Sequence, residues 1–256
     1  MNSGFIRALK ILIPGLLPLV FMSCKKDADP EPRMRVNLVI QHKAMGLPLT
    51  ASGEAVDSSG TAIVFSKLQY FISNIRLETD NPMDVFAEPS SYHLIKGLDN
   101  GGETILSLTG IPIRNYRYLH LAIGLDSASN KGNNNGVAAL QGGSGMYWSW
   151  SDEYKFMVLE GLFQKQNPDT SGAFLFHITG NSSYRSLRLN LVDSTGKGLE
   201  FKLENRLNLE AEISALFGAP NPVDFRVFNN AMSVETGAGK IAENYGAGRF
   251  IRLKNP

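Results

Sequence analysis

The amino-acid sequence predicts a single all-β, β-sandwich-like domain of mostly antiparallel strands, with a minor helix near the C-terminus. Short apolar segments alternate with turn sequences rich in Gly, Asn and Asp, such as DNGG at 99–102 and NKGNNNG at 130–136. The 25 Gly and 12 Pro residues are spread along the chain, which suits many turns better than a helical bundle. No repeat of fixed period occurs, so we expect neither a propeller nor a solenoid.

Ten segments have the composition of β-strands, and helix signals are few. The strands are predicted at residues 34–42, 64–77, 92–94, 104–108, 118–125, 154–161, 173–178, 184–192, 199–203 and 207–212. A short helical turn is predicted at 213–217, where Gly218 and Pro220 end it, and a helix at 234–244. Residues 34–256 therefore constitute the predicted domain.

The N-terminus has the composition of an export signal. Two positive residues, Arg7 and Lys10, precede an apolar run over 11–21, and Cys24, the one cysteine of the chain, follows shortly after. This order is typical of a bacterial lipoprotein signal peptide, here residues 1–23, after which the cysteine becomes the lipidated first residue. An ordinary signal peptide or an uncleaved anchor is the alternative, but the apolar run is short for a membrane span.

Residues 24–33 are charged and proline-rich, which predicts a flexible tether between the lipid on Cys24 and the folded domain. We therefore expect an exported lipoprotein, attached to the membrane through its lipid. The expected location is the outer membrane, facing either the periplasm or the cell surface.

The charge balance excludes one class of partner. The chain has 25 Lys and Arg residues against 24 Asp and Glu residues, which is too small an excess for non-specific binding to nucleic acid. With 43% hydrophobic residues it has enough apolar material for a packed core. We expect no nucleic-acid partner.

The usual catalytic signatures fail on spacing. Ser144 is followed two residues later by Met146, where the nucleophile elbow of a hydrolase requires glycine. Asp126 begins an Asn-rich loop, but Ala128 and Val137 occupy positions where an EF-hand has ligands. A turn capped by Asp126 is favoured over a calcium site there. We therefore expect no enzymatic activity.

The four histidines all lie in or beside predicted strands: His42, His93, His120 and His177. His42 continues the alternating apolar face of residues 36–40, and His177 lies within the apolar run 174–178, so both are candidates to face the interior. A buried imidazole either bonds to a protein acceptor or binds a metal. Because no thiol follows Cys24, a transition-metal site would consist of imidazole, thioether and carboxylate groups, a set that suits copper among other metals.

Both tryptophans lie in one short aromatic segment, GMYWSW. If this segment is extended, Met146, Trp148 and Trp150 share one face, with Tyr147 and Ser149 opposite. Such a face is either part of a core or part of a binding site, and composition alone favours the core.

Several segments, taken in order, match a known family. They are LQYFISNIRL at 68–77, LHLAIGLDSASN at 119–130, GMYWSW at 145–150 with YKF at 154–156 and LEG at 159–161, and FHI at 176–178. With these segments the chain resembles the MbnP-like family of secreted copper-binding proteins. The combination in this order is more specific than any one segment.

The resemblance implies a mostly β domain outside the cytoplasm that binds copper, as Cu⁺ or Cu²⁺. In characterised relatives a partner di-haem enzyme of the cytochrome c peroxidase type oxidises a tryptophan to kynurenine, which helps to bind the metal. In this chain Trp148 or Trp150 would carry that modification. Opening the indole ring yields an aryl amine and a ketone, which are better donors to copper than indole. His42 and His177 are added as ligands from their predicted facing, and Met146 from its place beside the tryptophans.

Two functional classes follow from these observations. The first is a lipid-anchored copper carrier or uptake component, with the di-haem enzyme as a partner and an outer-membrane receptor as a further candidate partner. The second is a surface module that recognises a glycan, peptide or receptor through loops such as 130–145, with the tryptophans as core or stacking platform.

Overall fold

The computed structural model describes residues 31–49, 53–56, 61–131, 136–141, 144–164, 171–192 and 203–254. The predicted signal peptide, Cys24, most of the tether and residues 199–202 of the ninth predicted strand lie outside these ranges. In the described residues, no helix has the length and apolar character needed to span a membrane.

Strands dominate the described chain. They are β1 Arg33–Ala44, β2 Leu47–Pro48, β3 Glu54–Val56, β4 Ala62–Glu78, β5 Val85–Ala87, β6 Tyr92–Lys96, β7 Glu103–Pro112, β8 Tyr118–Ile123, β9 Tyr147–Trp148, β10 Glu153–Gln164, β11 Gly172–Thr179, β12 Arg185–Asn190, β13 Glu204–Glu212, β14 Asn230–Ala231 and β15 Ile251–Leu253. A 3₁₀ turn spans Ile213–Phe217, and a π-helical turn at Val234–Ala238 leads into helix α1, Gly239–Gly246. The predicted all-β class with a minor C-terminal helix is confirmed, and the strands that the sequence missed are only two or three residues long.

The strands form two sheets. In the first, the order is β15-β13-β1-β2, and β7 also pairs with β1. In the second, the order is β12-β8-β4-β10-β11-β14, with β3, β5 and β6 paired to β4 and β9 paired to β10. Pairings are antiparallel except β1 with β13 and β11 with β14, which confirms the mostly antiparallel prediction.

The main core lies between the two sheets, and it follows from the period-two alternation of their strands. Val36, Leu38 and Ile40 of β1 are fully buried there, and the matching face of the second sheet contributes alternate residues of β4 and β11. A group of phenylalanines, which includes Phe174 and Phe176, packs ring against ring in this core. Each buried side chain of this size contributes roughly 2 kcal/mol to stability.

His42 continues the buried face of β1, as predicted. It is fully buried, with Nδ1 2.7 Å from the carbonyl oxygen of Gly102 and Nε2 2.9 Å from the hydroxyl of Tyr70. Nδ1 therefore donates to the carbonyl and Nε2 accepts from the phenol, so both ring nitrogens of a neutral imidazole are used. Burial lowers the pKa of His42 to about 4, although the bond to Gly102 opposes this change.

The stability of the fold should depend on pH through His42. Between pH 6.5 and about 4 the unfolded chain binds a proton that the folded chain excludes, so the free energy of unfolding falls as the pH drops through this window. The expected contribution at neutral pH is about 3 kcal/mol, from roughly 1.4 kcal/mol for each pKa unit. Urea unfolding between pH 4 and pH 7 should show this slope in the wild type and its loss in His42→Gln. His93→Gln is the control and should keep the slope; an unchanged slope in H42Q would contradict the neutral assignment.

A second apolar cluster covers the opposite face of the larger sheet. It contains Phe71, Leu125, Leu140, Met146, Tyr154, Phe156 and Val158. The loop that follows β8 covers part of this face. Its turn is capped by Asp126, whose Oδ1 accepts hydrogen bonds from the backbone N–H groups of Ala128 (3.2 Å) and Ser129 (3.1 Å), as the sequence favoured. The buried Asn130 then accepts a hydrogen bond from the N–H of Tyr154, which ties the loop to β10.

Candidate functional site

The two tryptophans meet at a tight turn rather than along an extended strand. Strand β9 ends at Trp148, which pairs with Glu153, and residues 149–152 form the turn that returns the chain into β10. Asp152 has a positive φ of 55°, a left-handed conformation that Asp tolerates. The turn places the Trp150 ring 5.1 Å from the Trp148 ring, at an interplanar angle of 37°. Trp148 is half-buried, whereas Trp150 is 76% exposed.

The extended arrangement, with Met146 on the tryptophan face and Tyr147 opposite, is therefore not what the structure shows. Met146 is fully buried in the second apolar cluster, and Tyr147 packs against the same cluster, with its ring 5.1 Å from that of Tyr154. The strand is too short for its alternation to continue to Trp150, so the turn decides where that indole lies.

His177 lies beside Trp148. Its neighbours Phe176 and Ile178 face the main core, so His177 faces the other side of the larger sheet, where it is 8% exposed. Its ring lies 5.5 Å from the Trp148 ring. Nε2 lies 2.8 Å from Oε1 of Glu160 and donates to this carboxylate, whereas the buried Nδ1 has no hydrogen-bond partner.

The other histidines differ from His177 in this respect. His93 and His120 also bond through Nε2 to a glutamate, Glu88 at 2.8 Å and Glu78 at 2.7 Å, and His42 uses both nitrogens in the main core. Among the residues that the structure describes, Nδ1 of His177 is the imidazole nitrogen that is buried without a partner. Because a buried, unpaired polar atom costs about 1–3 kcal/mol, this atom requires an explanation.

Two lysines lie near enough to this imidazole to affect it by their charge. Lys155 is 8% exposed, and its Nζ lies 5.2 Å from the centre of the Trp148 ring. Lys67 lies across from Glu160 in the pairing of β4 with β10. Burial is the largest cause that lowers the pKa of Lys155, and the charge of Lys67 lowers it further. Burial likewise lowers the pKa of His177, where Glu160 acts in the opposite direction and the two lysines add to the decrease.

Both lysines lie at β-bulges. The pairing of β4 with β10 skips Ser66 between Gly161 and Glu160, so Ser66 and Lys67 are consecutive residues outside the main core. The pairing of β10 with β11 is irregular between Lys155 and Met157. A bulge redirects side chains relative to the regular alternation. This irregularity brings two ammonium groups to the face that carries His177.

The charges around His177 predict opposite effects of two substitutions. Glu160→Gln should lower the pKa of His177, because the imidazolium loses its carboxylate partner, and Lys155→Met should raise it, because a neighbouring positive charge is removed. Titration of the histidine ring protons by NMR measures both changes, with His93 and His120 as references within the same spectra. A His177 pKa that moves in the same direction in both variants would contradict this arrangement.

Of the five residues predicted to bind metal, the structure brings three together. Trp148, Trp150 and His177 form one contact group, whereas His42 lies in the main core and Met146 in the second apolar cluster. No group of three or more His, Cys, Asp or Glu side chains able to hold a metal occurs in the described ranges.

Sequence reasoning did not identify Glu160, Lys155 and Lys67 as neighbours of His177. Lys155 and Glu160 stand in the matched segments at 154–156 and 159–161, but spacing along the chain gives no sign of their contact with β11. Glu160 could have been identified by pairing the predicted strands at 154–161 and 173–178 in antiparallel fashion. This pairing places Glu160 opposite Leu175, which faces the same side of the sheet as His177.

Comparison with known proteins identifies the family. A sequence model of the MbnP family matches residues 33–235. The chain belongs to the MbnP family. The solved structures include a similar chain, "MbnP from Methylosinus trichosporium", at 12% identity; the match covers 75% of this chain and 83% of that chain, with a TM-score of 0.49. No curated protein sequence matches the chain.

The range matched by the MbnP family model contains the contact group and its charged neighbours. Lys67, Trp148, Trp150, Glu160 and His177 all lie within it, whereas helix α1 and strand β15 lie beyond its C-terminal limit. The residues of the candidate site therefore lie within the part of the chain that the family model matches.

Proposed function

We propose that this protein is an exported, lipid-anchored copper-binding protein, a carrier or uptake component and not an enzyme, whose metal site includes His177 and Trp148. Two findings support the proposal. Membership of the MbnP family is the first, since this family is associated with copper. The observation that carries the location of the site is the buried, unpartnered Nδ1 of His177 beside the tryptophan pair.

The geometry of His177 supports its proposed role as a metal ligand. Imidazole ligands donate their second ring N–H to a carboxylate or carbonyl, which sets the tautomer and the ring orientation. Glu160 is that carboxylate here, so the lone pair of the imidazole is on Nδ1. Copper is among the metals that imidazole binds well, and a bound ion would give the buried Nδ1 the partner it lacks.

Trp148 is the tryptophan that we assign to the modification. Its ring contacts His177, so an aryl amine and a ketone formed from it would lie beside the imidazole as further donors. Trp150 is mostly exposed and packs on Trp148, so we propose it as the contact for a di-haem partner, which would supply the oxidising power. Intact indole lacks such donors, so oxidation would complete the site.

The positive charges near His177 favour Cu⁺ over Cu²⁺. Lys67 and Lys155 both repel a cation bound at His177, and the repulsion is larger for Cu²⁺ than for Cu⁺. Cu⁺ is therefore the ion that we assign to the site. The signal peptide, the lipid on Cys24 and the tether would place it outside the cytoplasm, at the outer membrane, where an outer-membrane receptor would be a further partner.

The proposal is tested on protein purified from its native host. Peptide mass spectrometry across residues 145–155 should show a ring-opened Trp148 and an intact Trp150. Competition against a chromophoric Cu⁺ chelator should show binding that His177→Gln and Trp148→Phe abolish. Glu160→Gln should weaken binding by roughly 10- to 100-fold, as expected for a residue that orients a ligand.

Matched controls exist in the same chain. Glu88→Gln removes the carboxylate of the His93 pair, and it should leave Cu⁺ affinity unchanged. Intact indoles at both positions, or wild-type protein without affinity for Cu⁺, would refute the proposal.

The exposure of Trp150 favours a second candidate function, in which the aromatic pair is a stacking platform for a glycan or peptide. In that case Trp150→Ala, which removes the aromatic ring, should abolish ligand binding while Cu⁺ binding is absent in the wild type. Glycan-array or peptide-array binding of the wild type and this variant separates the two functions.

A further inference from the structure

We propose that the face around His177 also contains a binding site for a small monovalent anion, held between Lys67 and Lys155. The anion site itself does not require copper. Its role as the counter-charge of a bound metal ion rests on the function proposed above.

The charged groups around His177 have a positive sum. Lys67 and Lys155 each carry one positive charge, and the neighbouring carboxylate of Glu160 is hydrogen-bonded to His177 rather than to either ammonium group. With a neutral imidazole, two positive charges and one negative charge leave a net charge of one positive. A single negative charge on a ligand would neutralise this cluster, which indicates a monovalent anion rather than a divalent one.

The burial of Lys155 also favours a bound anion. Lys155 is 8% exposed, and its ammonium group lies over the face of the Trp148 ring. A cation–π contact offsets only part of the free energy that is lost when an ammonium group is removed from water without an accompanying anion. An anion beside Lys155 would offset this cost.

The two lysines both contact the backbone segment at 145–146. A Cβ atom on Gly145 would lie 3.7 Å from Nζ of Lys67, so this ammonium group lies against the chain at Gly145. The next residue, Met146, accepts a hydrogen bond of 2.6 Å from the backbone N–H of Lys155. The segment at 145–146 therefore contacts the ammonium group of Lys67 and the backbone of Lys155, and both lysines lie at bulges of neighbouring strands.

The groups that suit a metal ion differ from those that suit an anion. Gln69 and His177 lie on either side of Val158 in the sheet, and Oε1 of Gln69, like Nδ1 of His177, is buried without a partner. Both atoms are acceptors, so they suit a cation, whereas the lysines are donors and suit an anion. The two kinds of group lie on one face of the sheet, an arrangement that fits an ion pair of metal and anion.

The test uses metal-free, full-length protein produced in a host without the di-haem partner, so that both indoles stay intact, and it follows their fluorescence. Trp148 and Trp150 are the two tryptophans of the sequence, so their emission reports on this face alone. Iodide is the probe, because it is a monovalent anion that quenches indole fluorescence. Iodide titration at constant ionic strength should give a saturable component, from bound anion, above the linear collisional quenching of the exposed Trp150.

Lys67→Met should remove the saturable component or weaken its affinity by about tenfold, since it deletes one charged hydrogen-bond donor. Lys240→Met is the matched control, because Lys240 also lies over an aromatic ring, that of Phe228 at 5.4 Å, but in another part of the fold. Circular dichroism verifies that each variant is folded. A linear quenching plot in the wild type, or the same saturable component in K67M, would overturn the proposal.

Competition identifies the class of anion. Displacement of iodide by acetate more strongly than by chloride supports a carboxylate ligand, and the reverse order supports a halide. Failure of both to displace iodide would overturn the anion site. Because no metal is present, this result is independent of copper binding: a saturable, lysine-dependent component would stand even if the protein had no affinity for Cu⁺.

Discussion

Burial of the central strands on both faces is the constraint on which the rest of the structure depends. Strands β4, β10 and β11 put alternate residues into the main core, so the residues between them face the other side and need a second cover. The loop after β8 and the second apolar cluster supply that cover over part of the face. His177 lies on the same face, where burial removes water but no protein group reaches Nδ1. The candidate site is thus a consequence of how the sheet is covered.

Electrostatics then limits what this face can bind. A single carboxylate, Glu160, orients the imidazole, and two lysines surround it. A metal ion alone would add positive charge to a cluster that is already positive. A bound anion would resolve this conflict, and a singly charged copper ion would make it smaller than a doubly charged one. The preference for Cu⁺ and the binding of an anion would therefore both reduce the same excess of positive charge.

Local sequence patterns predicted the side-chain directions correctly in some elements and not in others. The alternation of residues 36–40 predicted the buried face of β1 and the inward position of His42, because a strand's period of two is a local property. The same rule did not describe the tryptophan segment, because β9 ends at Trp148 and a turn, rather than a strand, carries Trp150. Lys67 could not be placed from periodicity at all, since a bulge that depends on the pairing of β4 with β10 decides its direction.

The sequence by itself determined the all-β class, the positions of the longer strands, the minor C-terminal helix and, through ordered motifs, the membership of the MbnP family. These features depend on local composition and on the order of residues along the chain. Only the tertiary structure decided that His42 and His177 lie on different sides of the larger sheet, and that Trp148, Glu160 and two lysines surround one of them. Contacts between residues distant in sequence depend on strand register and on bulges, which are set by the packing of whole sheets.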